Sequence, residues 1–151
     1  MIDKATGDII VGAGETVGAR TTDEQFLRGD IGGLSQLRVA NGSWVTRSIN
    51  AIPVGGRVVA AAFTFEDGVL RKISMSEHET SDPTPSWDTW SEARELALKS
   101  RHDEWLKDEL GPPPYEYAWG RLSSSYDPRS GGSSITITYF NANSEVGHGN
   151  S

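Results

Sequence analysis

The chain has 151 residues, no cysteine, and 21 acids against 14 bases, a formal net charge of −7. That length suits one domain burying about 70% of its unfolded surface, and the missing thiols exclude disulfide frameworks, thiol catalysis and cysteine-held zinc. No apolar run is long enough to span a bilayer, and the start, Met1-Ile2-Asp3-Lys4, lacks the basic lead and apolar core of a signal peptide, so a cytoplasmic protein without a membrane partner is expected.

Residues 7–11 read as a short strand, followed by the glycine-rich run from Gly12 to Gly18. Backbone amides can cradle a phosphate in such a run, but the spacing fits neither the dinucleotide fingerprint nor a P-loop, which favours a plain surface loop. Thr21 or Thr22 then caps a short helix near residues 22–28, with Glu24 or Gln25 closing a capping box and Phe26 and Leu27 anchoring it. Strands over 36–39 and 44–46 flank Asn41-Gly42, and strands over 57–65 and 69–76 flank Glu66-Asp67-Gly68, both strong hairpin signals.

The stretch from Trp87 to Asp127 organises the rest. Thr89 with Glu92 forms a capping box, Asp88 competes as the cap, and Gly111 before Pro112, Pro113 and Pro114 stops the helix, which predicts a helix over about 90–110. Its apolar residues define two faces: Trp90, Ala93, Ala97, Leu98 and Trp105, and a rotated one of Leu98, His102, Trp105, Leu106 and Leu110. The first half is expected to cross the sheet at Ala93 and Ala97, with Leu96 off both faces. Tyr115, Tyr117 and Trp119 then alternate as a strand, Gly120 reads as a bulge, and Leu122, Ser124 and Tyr126 resume the alternation. A turn over 127–132 leads to a return strand over 133–140.

Hairpins do not make a parallel sheet. The expected fold is α+β, an antiparallel sheet of six or seven strands with the long helix on one face and the short helix near its start. Residues 1–140 form the single domain, and 141–151, with only Ala142 and Val146 as apolar anchors, form a flexible tail.

Charge is concentrated. Residues 77–116 hold eleven acids and four bases, so the whole net charge of −7 sits on the helix and its flanks, and the remainder is neutral. Such a field repels nucleic acid and attracts basic proteins, although a solvated helix face has the same composition.

No chemistry declares itself. His102 has Leu98, Lys99, Trp105 and Leu106 at helical spacing, none a usual metal ligand, and reads as a structural or half-exposed histidine; His78 lies between Glu77 and Glu79, and His148 in the tail. Ser123, Ser124 and Ser125 lack a nucleophile elbow. No catalytic residue, cofactor or metal is expected. Of the aromatics, Trp90, Trp105 and Trp119 belong to the core, whereas Trp87 and Tyr115 are candidates for exposure.

Phe65-Glu66-Asp67-Gly68-Val69-Leu70, Trp87 with Trp90, His102-Asp103-Glu104-Trp105-Leu106, Leu110-Gly111, Trp119-Gly120 and Tyr126-Asp127 together resemble a pattern of small bacterial α+β proteins. Some proteins of this kind are immunity proteins, made beside a secreted antibacterial toxin to neutralise it. The resemblance covers roughly the last two thirds of the chain and carries no catalytic residues. It implies a binding protein that neutralises a toxin, and the acidic charge of residues 77–116 adds a basic surface on that partner. The expected partner-binding residues are Asp82, Trp87, Asp88, Glu92, Glu95, Asp103, Glu104, Asp108 and Glu109, the acids steering and Trp87 anchoring. Two alternatives stand beside it. One is a small enzyme or ligand-binding domain with a pocket between sheet and helix lined by Tyr115, Tyr117 and Tyr126; the other is an oligomer-forming component that associates through the aromatic strand.

Overall fold

Tight turns build this protein two strands at a time. A computed structural model describes residues 2–77, 92–129 and 132–140. In chain order the elements are β1 (Ile9–Val11), β2 (Glu15–Val17), α1 (Asp23–Arg28), α2 (Asp30–Gly33), β3 (Gln36–Asn41), β4 (Trp44–Val54), β5 (Arg57–Glu66), β6 (Val69–Glu77), α3 (Glu92–Leu110), β7 (Tyr115–Tyr117), β8 (Gly120–Asp127) and β9 (Gly132–Tyr139). Asp67 and Gly68, at φ 52° and 80°, form the two-residue loop between β5 and β6, and Gly42 at φ 62° opens the loop between β3 and β4. Positive φ at these positions matches the right-handed twist of the strands they join.

The strands form one antiparallel sheet in the order β2-β1-β4-β5-β6-β9-β8-β7, with β3 paired to β4 off this path. Alternation assigns the faces. Val59, Ala61, Phe63 and Phe65 of β5, Ile73 and Met75 of β6, and Ile135, Ile137 and Tyr139 of β9 are buried on the inner side. On the outer side Ser48, Ala62, Ser74, Thr136 and Ser123 stand in register across five strands, a row of small, mostly hydroxylic side chains suited to water.

The inner face receives two covers. Over β5 and β6 sits α1, whose capping box is completed by Thr22 and Gln25. Its Phe26 ring lies 4.7 Å from Phe63 and 5.4 Å from Phe65. Asp23 takes two hydrogen bonds from Arg47, at 2.7 and 3.1 Å. Over β8 and β9 lies α3, burying Leu98, His102, Trp105, Leu106 and Leu110. The N-terminal segment closes the curl: the Tyr139 hydroxyl donates to Gly7 O at 2.7 Å and the Trp119 indole N–H to Lys4 O at 2.8 Å. Trp119 also stacks on Tyr117, with ring centroids 5.2 Å apart.

The α+β antiparallel architecture is the one expected, but the sheet has nine described strands rather than six or seven. The glycine-rich run is a hairpin, because Gly12 and Gly14, at φ 62° and 127°, turn the chain back so that β2 pairs with β1. Gly120 is no bulge. It begins β8 after a turn at Ala118 and Trp119, opposite Tyr117, and a Cβ there would fall 2.0 Å from Thr138 O. Ala93 and Ala97 are exposed, so only the second of the two expected helix faces meets the sheet. Tyr115, expected as an exposed candidate, is buried, its hydroxyl donating to Gly111 O at 2.9 Å; Leu27 is exposed and leaves the anchoring of α1 to Phe26. The Thr89–Glu92 capping box, Asp88, Trp90 and the 141–151 tail lie outside the described residues.

Candidate functional site

Polar ties at three levels fix the orientation of α3. Near its start the Tyr126 hydroxyl donates to Glu92 Oε2 at 3.2 Å. One turn on, the Glu95 carboxylate accepts from the Ser133 N–H at 2.9 Å and its carbonyl accepts from Ser133 Oγ at 2.5 Å. Midway, His102 Nε2 accepts the Glu77 N–H at 3.0 Å. That bond places the imidazole proton on Nδ1, where it has no partner among the described residues. Burial, opposed by Glu77 and Asp103 and aided by Arg101 and Arg57, pushes His102 down to about 4. The imidazole is therefore neutral at physiological pH and acts as a buried acceptor.

Glu77 is the hub of this corner. Its carboxylate pairs with Arg57 at 3.0 Å and with Arg101 at 3.5 Å, while the Arg57 guanidinium lies 4.9 Å above the Trp105 ring. The end of β6 is thus bound to α3 by charge, ring and imidazole at once.

With the helix so oriented, the acids expected to form one binding face point in different directions. Glu95 is turned onto Ser133 and Glu109 is half-buried. Glu92 and Asp103 lie exposed on the flank beside β8. Asp103 takes a hydrogen bond from Lys99 at 2.9 Å. Burial raises the Asp103 carboxyl, but hydrogen bonds from Lys99 and Ser124 outweigh it and hold the group below the ordinary carboxylate range. Glu104 and Asp108 project to solvent with no ion pair among the described residues, on the side that carries Ala93, Leu96 and Ala97. Asp82, Trp87 and Asp88 lie outside the described residues.

Between α3 and the β7–β8 hairpin runs an open groove of about 570 Å³. Lys99, Asp103, Glu104 and Lys107 line its helix side; Pro113, Pro114, Tyr115, Glu116 and the β8 residues Arg121, Leu122, Ser123 and Ser124 line the other. Three acids face three bases here, so the groove is balanced in charge. Of the three tyrosines expected to line a pocket, only Tyr115 reaches it. No group of three side chains that could hold a metal occurs among the described residues, and no described helix is long and apolar enough to cross a membrane.

Sequence reasoning missed the part that Glu77 and Ser133 play in placing α3, since neither carries a local signal of its partner. It also missed the exposure of β3, whose six residues are all open to solvent.

No family model and no curated protein matches this chain. A solved structure does: a chain of Rhs1-CT in complex with cognate immunity protein RhsI1 superposes with a TM-score of 0.56 at 17% sequence identity, covering 97% of this chain and 93% of that one. At that identity the likeness is one of fold. Across nearly its whole length, therefore, the chain shares the fold of a component of a toxin–immunity complex.

Proposed function

We propose that this protein is a non-enzymatic, immunity-type inhibitor that neutralises a cognate toxin by binding it. The observation that carries the reading is the fold likeness over 97% of the chain to a component of a complex of that kind. The concentration of all the net negative charge in residues 77–116 supports a partner with a basic surface. Within the nine expected contact residues, the exposed Glu92, Asp103, Glu104 and Asp108 would steer the partner, Glu92 while also bonded to Tyr126, and Glu95, occupied at Ser133, would hold the helix in position instead. Asp82, Trp87 and Asp88 would supply the adjoining part of the surface.

The test is to look for a toxin domain encoded beside this gene and to co-express the two. Cells carrying both should grow, and the two chains should co-purify. Glu104→Lys combined with Asp108→Lys should weaken the complex by about tenfold or more at low salt and flatten its salt dependence. Unchanged affinity and salt slope would remove the acidic helix from the interface. Growth arrest despite a soluble protein would overturn the inhibitor reading itself.

A further inference from the structure

We infer that β3 is a self-association edge, and that two copies of this chain pair antiparallel through it to make one continuous sheet. The strand is six residues long, every one of them is exposed, and its far side has no strand partner among the described residues. Leu37 and Val39 are 56% and 52% exposed, and Trp44 across the turn 43%, so apolar surface accompanies the open backbone. Long edge strands are ordinarily guarded by outward-pointing charge or by bulges; β3 has a register shift between Leu37 and Val39, and beyond it Val39, Ala40 and Asn41 run regularly to the turn. Here the one charged residue of the strand, Arg38, folds back across β4, where its Nε donates to Ser48 Oγ at 2.6 Å.

The register says which backbone groups are free. Asn41 and Trp44 close a two-residue loop, so they form the hydrogen-bonded pair next to the turn. Ala40, opposite Val45, is one step further and turns its N–H and C=O away from β4. Water satisfies such an edge in the monomer and another extended strand can replace it, and an antiparallel strand is its own complement about a twofold axis.

Charge favours this end of the molecule for contact with a second copy. Residues 1–76 carry eight acids and eight bases and are neutral, whereas residues 77–116 carry −7. Along the sheet, β3 and the β8 strand beneath α3 are separated by β4, β5, β6 and β9, about 24 Å at about 4.8 Å per strand. Copies joined at β3 therefore keep their acidic helices apart by several Debye lengths of about 8 Å, whereas any approach through the helix side meets repulsion. The two α3 surfaces remain free in such a dimer. An interface of one strand pair and a few apolar side chains lies at the small end of specific contacts, so the dimer should dissociate on the order of micromolar.

Sedimentation velocity of the isolated full chain, from about 5 to about 500 µM, reads this directly, with no toxin present. A concentration-dependent shift from monomer to dimer mass is expected, little changed by salt. Ala40→Pro removes one outward N–H at an edge position that tolerates proline, and Val39→Lys places a charge on the exposed strand. Either should abolish the dimer while leaving the melting temperature of the dilute monomer within a few degrees. If one variant fails to fold, the other decides. A wild-type chain that stays monomeric throughout overturns the proposal, as does a dimer that survives both substitutions or that is lost instead on Glu104→Lys with Asp108→Lys.

Discussion

The two helical covers of the inner face differ in how far directional polar bonds hold them. Phe26 of α1 is packed between rings, against Phe63 and Phe65, and one ion pair, Asp23 with Arg47, ties the start of the helix to β4. The longer α3 also buries apolar side chains, but its position is set by a histidine on Glu77, a carboxylate on Ser133 and a tyrosine on Glu92. For a helix of six residues, one buried ring, the cap and the single Asp23–Arg47 pair suffice. A helix of 19 residues could slide or roll on a sheet of isoleucines, and directional bonds along its length prevent that.

The comparison breaks most decisively at the aromatic seat. Phe26→Ala removes a fully buried ring and should cost about 3–5 kcal/mol, lowering the denaturant midpoint at every pH. The polar cover should instead show itself as a pH effect. His102 in the folded protein titrates at about 4 against 6.5 for an unperturbed histidine, so the unfolded chain takes up the proton first. Its contribution is fully present above pH 6.5 and is lost as pH falls toward 4, by about 3 kcal/mol from this group alone. Glu77, Arg57, Arg101 and Asp103 face the same imidazole, and the variant isolates its share. In His102→Gln, which keeps an acceptor, urea unfolding across that range should lose this slope. Ser133→Ala removes the hydroxyl bond to the Glu95 carbonyl but keeps the amide bond to its carboxylate, and should cost about 1 kcal/mol in the same assay. Smallest of all is Glu24→Gln at the exposed ion pair with Arg28 on α1, where a change within about 0.5 kcal/mol is expected by thermal melting.

The legible parts of this fold are those written in local chemistry. Asn41-Gly42 and Asp67-Gly68 mark their turns because positive φ selects few residue types, and Thr22 with Gln25 marks a helix start because the two side chains satisfy each other's backbone. The buried second face of α3 follows from spacing alone. Illegible parts depend on neighbours distant in sequence. Ala93 and Ala97 suit a helix–sheet contact as well as they suit solvent, and only the ties at Glu77 and Ser133 roll them outward. Gly120 reads equally as a bulge or a strand start until Thr138 is placed beside it. The acids of the helix are visible as a count, but their division among three directions is a property of the packed helix. Residues 78–91, which hold Asp82, Trp87 and Asp88, are not described, and the expectation for them stands as the sequence leaves it.

The last described strand lies inside the sheet. Between β6 and β8 sits β9, and its Tyr139 reaches Gly7, 132 residues away in sequence. During synthesis the β4–β6 meander can form early, but its β6 edge stays open, and α3 has no Ser133 to grip, until the final hairpin has left the ribosome. At about 5–20 residues per second that interval lasts several seconds. The assembly is therefore completed only once β9 has emerged, in one late step that seats the helix, closes the sheet and locks the N-terminal segment. Nascent chains stalled before β9 should accordingly be protease-sensitive and prone to pair with one another through the waiting edge of β6.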